Sequence, residues 1–185
     1  MSTQHLNWKL LSSEYIIEDN WATLRADTCE MPNGNIINPY YVLEYPNWVN
    51  VVALTEKDEV ILVKQYRHAA GEVLLEIPGG CIDKGETPEQ AVRRELLEET
   101  GYSFDSLEEL SVLYANPATG NNITHCFLAT GGKKIQEQSL DHGEEIDVEL
   151  VSLEKLKELL LENKIGQALH TSGIFYALLR LGKLN

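Results

Sequence analysis

The run from Leu75 to Tyr102 constrains this chain more than any other. An apolar segment enters a double glycine there and leaves as a short, acid-faced helix. Thr87 is a good N-cap, Pro88 suits the first helical position, and Gln90 completes a Thr-x-x-Gln capping box. Gly101 supplies the residue that stops a helix. These signals predict a helix over residues 88–100. In its helical register Glu95, Glu98 and Glu99 stand at i, i+3 and i+4 and share one face. Val92 and Leu96 lie beside that face, so one edge is expected to pack inward while the acidic edge faces a cleft. Arg94 is placed to pair with Glu98 or to reach Glu86.

Like charges one turn apart destabilise a helix, and a purely structural helix avoids them with lysines. A divalent cation resolves the conflict, because carboxylates are hard oxygen donors, and a cation on such a platform is suited to diphosphate chemistry. Gly79 and Gly80 permit close approach of the backbone to a ligand and leave carbonyls free to bind a metal.

The segment resembles the Nudix box at every defined position: Gly80, Glu86, Arg94-Glu95-Leu96, Glu98-Glu99, Gly101 and Tyr102, all at the motif's spacing. The resemblance implies an α/β/α sandwich whose loop–helix–loop binds Mg²⁺ or Mn²⁺, and hydrolysis of a nucleoside diphosphate linked to another moiety. Carried over by position, Glu95, Glu98 and Glu99 look like metal ligands, joined by the Gly79 carbonyl, for two or three ions. Glu86 and Arg94 resemble the pair that braces the loop against the helix.

Composition narrows the partners. With 29 acidic against 15 basic residues, the net charge of −14 repels a polyanion, which argues against a nucleic-acid-binding module. A nucleoside diphosphate meets the same repulsion, so bound metal and local arginines must reverse the sign at the site. Cys29, Cys81 and Cys126 have no metal spacing and no even disulfide framework, which points to a reducing cytoplasm. No signal peptide or membrane-spanning run is read in the sequence.

Apolar and β-branched runs predict strands near 14–18, 21–29, 36–45, 48–55, 59–66, 73–77, 110–114, 123–129 and 146–151. Pro32-Asn33-Gly34-Asn35 and Lys57-Asp58 read as turns. Two further helices are predicted at 153–162, capped by Ser152, and at 167–181. Their buried stripes are Leu153, Leu156, Leu159 and Leu160 in one, and Ile174, Ala177, Leu178 and Leu181 in the other. Many strands and few helices fit an α+β or sandwiched α/β layout. We expect an arm over residues 1–45 and a Nudix domain over 46–185.

Within the Nudix family the chain is similar to the ADP-ribose pyrophosphatase and nucleotide-sugar hydrolase branch. There a strand-rich N-terminal extension pairs with the partner subunit and helps shape the substrate pocket, which implies a homodimer; Trp21–Asp27 and Ile36–Tyr45 are the candidate stretches. Gln65-Tyr66-Arg67 resembles a segment common in the branch. The fork of Arg67 suits a diphosphate oxygen, although it can instead pair with Glu76. Tyr41, Trp48 and Tyr66 are candidates to stack on a base. His68 lacks a Ser or Cys partner for covalent catalysis.

Pro117 stands 16 residues after Gly101, the spacing of ADP-ribose pyrophosphatases. The chain then departs from the branch, carrying Ala118-Thr119-Gly120-Asn121-Asn122 where glycine and then glutamate are usual. Asn121 and Asn122 can hydrogen-bond sugar hydroxyls, with a changed choice of sugar. ADP-ribose, ADP-glucose and GDP-mannose are all candidates. The branch draws its general base from an acidic loop, matched here by Asp141-His142-Gly143-Glu144-Glu145. Glu144 is the first candidate and Glu145 the second, with His142 or a box glutamate as alternatives. The expected reaction is hydrolysis of a nucleotide sugar to a nucleoside monophosphate and a sugar phosphate. Hydrolysis of dinucleoside polyphosphates or nucleoside triphosphates uses the same box. A non-catalytic binding domain usually loses box glutamates, and all are present here.

Overall fold

The computed structural model describes residues 3–20 and 22–184. The described residues form two compact units, one drawn from residues 3–46 and 114–122, the other from residues 47–113 and 123–184.

In the first unit, strands β1 (Lys9–Glu18), β2 (Thr23–Glu30) and β3 (Ile36–Glu44) make an antiparallel sheet in the order β1-β2-β3. The β2–β3 connection is the expected turn, closed by the Gly34 N–H on the Met31 carbonyl. Gly34 takes a φ of 85°, which glycine adopts without steric cost. All ten residues of β1 are exposed. Trp21, expected to open the second strand, lies outside the described residues.

The second unit is built on an eight-stranded mixed sheet. Its members are β4 (Trp48–Thr55), β5 (Val60–Arg67), β6 (Glu72–Glu76), β7 (Gly79–Cys81), β8 (Tyr102–Ser103), β9 (Ser106–Tyr114), β10 (Ile123–Lys134) and β11 (Ile146–Val151). The main path runs β11-β5-β4-β10-β8, with β6 on β5, β7 on β4 and β9 on β10. The β4–β10 pair is parallel, whereas β4–β5 and β5–β11 are antiparallel.

Alternation along the central strands sends side chains into two cores. Val49, Val51, Ala53 and Ile61 pack with Ala91, Val92 and Leu96 of helix α1 (Pro88–Thr100). Val52, Leu54, Val60 and Leu62 pack instead with Leu156 of α2 (Leu153–Leu161) and with Ile174, Ala177 and Leu178 of α3 (Ala168–Arg180). The sheet is therefore sandwiched between α1 on one face and α2 and α3 on the other, the expected α/β/α arrangement. Of the expected α2 and α3 stripes, Leu153, Leu159, Leu160 and Leu181 are only partly buried, at the margin of that core.

Candidate active site

Helix α1 begins and ends where its caps dictate. The Thr87 hydroxyl accepts from the Gln90 N–H, the Gln90 side chain accepts from the Thr87 N–H, and Gly101 closes the helix with φ 76°. A helix so fixed at both ends holds the spacing of its side chains.

The turn in front of it is strand β7, whose Gly79, Gly80 and Cys81 pair antiparallel with Asn50, Val49 and Trp48 of β4. A Cβ on Gly79 would collide with the Val49 carbonyl, and one on Gly80 with the Glu95 carboxylate. The two glycines are thus required by close approach, Gly79 to the β4 backbone and Gly80 to the α1 carboxylate.

Arg94 is the hub of the acidic face. It donates Nε and Nη2 to the two carboxylate oxygens of Glu86 at 2.9 and 3.0 Å. Its Nη1 donates to Glu95 at 2.9 Å and to Glu98 at 3.1 Å, while Nη2 also reaches the Cys81 carbonyl at 2.9 Å. One guanidinium therefore ties the helix to the loop carrying Glu86 and to β7. The two pairings left open by the sequence, Arg94 with Glu98 and Arg94 with Glu86, both occur. Held by Arg94, the Glu86 carboxyl falls below its ordinary range.

Glu95 and Glu99 are 8% and 3% exposed. The Glu99 carboxylate accepts the Gly79 N–H at 3.0 Å. Burial pushes the Glu99 carboxyl up to about 8; the Gly79 N–H and the Arg67 charge oppose this, and Glu95 and Glu144 reinforce it. Burial likewise pushes Glu95 up to about 7 against the pull of Arg94, with Glu144 and Glu98 adding repulsion. Two buried carboxylates on one helix face thus lack enough positive charge to be ionised comfortably.

Such a donor set fits a hard divalent cation in its chemistry. It is not gathered in advance: among the described residues no three His, Cys, Asp or Glu side chains cluster in a way that could hold a metal ion. Arg94 Nη1 already engages both Glu95 and Glu98.

The charge of Glu144, at the turn Asp141–Glu144, acts on both Glu95 and Glu99. Its neighbour Glu145 is exposed. Arg67 takes the alternative that the sequence left open, pairing through Nε and Nη2 with one oxygen of Glu76 at 3.1 and 2.7 Å. Glu76 is 1% exposed, an acid in the otherwise apolar Val73–Ile77 run, and that anomaly was its sequence signal. His170 of α3 is buried, which drives its imidazole down to about 4, and it feels the charges of both Glu76 and Arg67. Nothing in the α3 pattern distinguished it from a core residue.

The remaining candidates lie on several elements. Trp48 opens β4, half-buried and hydrogen-bonded to Cys81. Tyr66, at the end of β5, is 55% exposed beside His68. Tyr41 on β3 is 53% exposed. Asn121 is exposed, whereas Asn122 is buried and donates its amide to the Pro46 carbonyl at 3.2 Å. A cavity of about 140 Å³ flanks α1, lined by Arg93, Leu96, Leu97, Tyr102, Phe104 and Leu107 among others. None of the carboxylates described above lines it, so it is distinct from the acidic site.

Residues 45–171 match the NUDIX domain, and residues 8–43 match the nucleoside diphosphate sugar hydrolase N-terminal domain. With its box intact and its sandwich fold, the chain belongs to the Nudix family and is one of its hydrolases. It is 32% identical over 176 residues to an ADP-ribose pyrophosphatase of Bacillus subtilis (strain 168), covering 95% of each chain. It is also 32% identical over 158 residues to a methanol dehydrogenase activator of Bacillus methanolicus, covering 85% of each. The crystal structure of an ADP compounds hydrolase shares its fold, with a TM-score of 0.85 over 99% of this chain and 100% of that one, at 23% identity.

Proposed function

We propose that this protein hydrolyses the diphosphate linkage of a nucleoside diphosphate sugar, ADP-ribose foremost, to a nucleoside monophosphate and a sugar phosphate. The observation that carries the reading is the buried Glu95–Glu99 pair beside Gly79, short of positive charge and braced by Arg94 on Glu86. The match of the arm to a nucleoside diphosphate sugar hydrolase domain supports the substrate class, and the pyrophosphatase of B. subtilis supports ADP-ribose within it.

Glu95, Glu98, Glu99 and the Gly79 carbonyl would hold two or three Mg²⁺ or Mn²⁺ ions. When bound, the ions neutralise the diphosphate and lower the proton affinity of water. Arg94 and Glu86 keep helix and loop in register, and Arg67, fixed by Glu76, offers its free guanidinium edge to a phosphate oxygen. Glu144 takes a proton from water as its oxygen attacks one phosphorus; the anhydride P–O bond breaks and the other phosphate departs with the bonding electrons. Glu145 is the reserve candidate for that proton. Tyr41 and Trp48 are proposed to stack on the base, and Asn121, beside the engaged Asn122, to meet the sugar.

The arm over residues 1–45 is proposed to pair with a second copy of the chain. Leu10, Leu11, Tyr15, Ile16 and Ile17 of β1 are 45% to 54% exposed, an apolar strand that natural sheets normally cover. Light scattering should return twice the 20.8 kDa of one chain. A reducing, cytoplasmic setting suits the free cysteines; among the described residues no helix is long and apolar enough to cross a membrane.

The reading is tested by incubating the protein with Mg²⁺ and, separately, ADP-ribose, ADP-glucose, GDP-mannose, UDP-glucose and diadenosine polyphosphates. Nucleoside monophosphate from a nucleotide sugar, abolished by EDTA, is the expected product. Turnover restricted to dinucleoside polyphosphates, or none at all, overturns the assignment.

A further inference from the structure

Strand β10 ends at Lys134, and the chain that follows is bonded to the C-terminal end of α1 before it reaches β11. The last carbonyls of a helix have no partner within it and must find one elsewhere. Here the Ser139 N–H donates to the Glu98 carbonyl at 2.9 Å, and the Ile135 and Gln136 N–H groups donate to the Gly101 carbonyl at 2.9 and 3.3 Å. The segment lies so close that a Cβ on Gly101 would collide with the Gln136 carbonyl. The Glu99 carbonyl is taken by a side chain: Gln138 donates its Nε2 to it at 2.6 Å.

The same Nε2 also donates to the Ile146 carbonyl at 3.0 Å, and a carboxamide nitrogen has a hydrogen for each. Ile146 is the first residue of β11, which pairs with β5 at Gln65. One side chain therefore closes the loop 139–145 at its base, joining the helix to the sheet. Within the loop the Glu144 N–H donates to the Asp141 carbonyl at 3.0 Å, and the Asp141 N–H donates back to the Glu144 carboxylate at 3.2 Å. Glu144 is half-buried, whereas Asp141, His142, Gly143 and Glu145 are exposed. The Glu144 charge reaches both Glu95 and Glu99 and raises their carboxyls. Gln138, the loop and these carboxylates all belong to the same compact unit. A proton acceptor must be held in reach of the water it deprotonates, and a loop left free at its base does not hold one there.

We propose that Gln138 is a positioning residue for catalysis: by joining the end of α1 to the start of β11, it keeps the loop that carries Glu144 in reach of the acidic face. The inference rests on the reading of Glu144 as the group that takes a proton from water. Gln138 acts through the loop and touches no reacting atom. Its signature is a fall in kcat with KM unchanged, seen only while Glu144 is present.

The test compares Gln138→Met, Glu144→Gln and the double variant with wild type on whichever nucleotide sugar wild type turns over best. Methionine keeps the length of the side chain and removes both donated bonds, and Gln138 is exposed, so the substitution opens no core. Amide hydrogen exchange of the metal-free proteins is followed in parallel. Glu144→Gln should lower kcat about 10²-fold or more. Gln138→Met should lower kcat roughly 3- to 30-fold, the range expected when two neutral hydrogen bonds are lost. It should leave KM within about twofold and speed exchange over residues 139–146, with residues 88–97 as in wild type. The double variant should fall within about twofold of Glu144→Gln alone, because both substitutions disable one device. Unchanged kcat in Gln138→Met, unchanged exchange over 139–146, or effects that multiply in the double variant overturn the inference and leave the nucleotide-sugar reading intact. So does a wild-type kcat in Glu144→Gln. Wild type inert on every nucleotide sugar overturns both.

Discussion

Asp27 in the arm is 4% exposed and Glu99 in α1 is 3% exposed, yet their surroundings differ in kind. Asp27 receives the Arg25 Nε at 3.1 Å on both oxygens, and the Ser13 hydroxyl as well. Arg25 in turn reaches Glu44, so the charges close on themselves. Glu99 receives one backbone N–H, and its neighbours Glu95 and Glu144 repel it. A buried acid that exists for stability is surrounded by donors. Glu99, proposed to hold a cation, is left short of positive charge.

The sharpest way to break this comparison is to neutralise each acid. Glu98→Gln or Glu99→Gln should cut kcat by about 10³-fold or more, several kcal/mol of lost transition-state stabilisation, with the fold retained by circular dichroism. Unchanged turnover in both would remove α1 from the chemistry. Asp27→Asn should instead cost about 1–3 kcal/mol of stability by weakening the hold on Arg25, and leave an enzyme that still turns over. Should Glu99→Gln prove the more destabilising of the two in metal-free buffer at pH 8, the contrast drawn here is wrong.

Next in size is Arg94→Ala. It strips Glu86, Glu95, Glu98 and the Cys81 carbonyl of a shared donor and should cost about 3 kcal/mol in denaturant unfolding. Arg25→Ala should destabilise comparably but spare kcat, whereas Arg94→Ala should lower both.

The pH dependence of the metal-free protein follows from the same groups. Glu95 and Glu99 titrate near 7 and 8 when folded, against an ordinary 4.5. Between 4.5 and about 8 the folded chain therefore holds protons that the unfolded chain releases, and stability falls as pH rises. His170 acts oppositely between its folded value near 4 and its ordinary 6.5. Above 6.5 only the decline remains, so the melting temperature in EDTA should drop from pH 6.5 to 8.5, and saturating Mg²⁺ should flatten it. A rise over that interval would contradict the burial of uncompensated carboxylates. The smallest effect expected is from Thr87→Ala, about 1 kcal/mol for loss of the α1 cap.

Much of this molecule was legible because its signals are local. Thr87, Pro88, Gln90 and Gly101 bracket α1, and the observed helix occupies the predicted residues. Strand β7 was not foreseen, because Gly79-Gly80 reads as a turn and becomes a strand only through its pairing with β4. Strand β1 starts at Lys9, five residues before its predicted beginning, since a strand exposed along its whole length has no buried face to mark it. That Glu95, Glu98 and Glu99 lie on one helix followed from their spacing and the helix caps. Arg67 could not be resolved between Glu76 and a phosphate, because that choice depends on how β5 and β6 register. Nor did any local pattern tie the turn after β9 to β3, a contact between residues some 78 positions apart.

The central proposal is that Glu95 and Glu99 take part in holding a divalent cation. It is tested most directly by the melting temperature of wild type and Glu99→Gln at pH 8, titrated with Mg²⁺ from EDTA-treated stocks. Wild type should gain stability with rising Mg²⁺ through selective binding to the folded state, and Glu99→Gln should gain little or none. Equal shifts in the two proteins, or no shift in wild type, would contradict the claim.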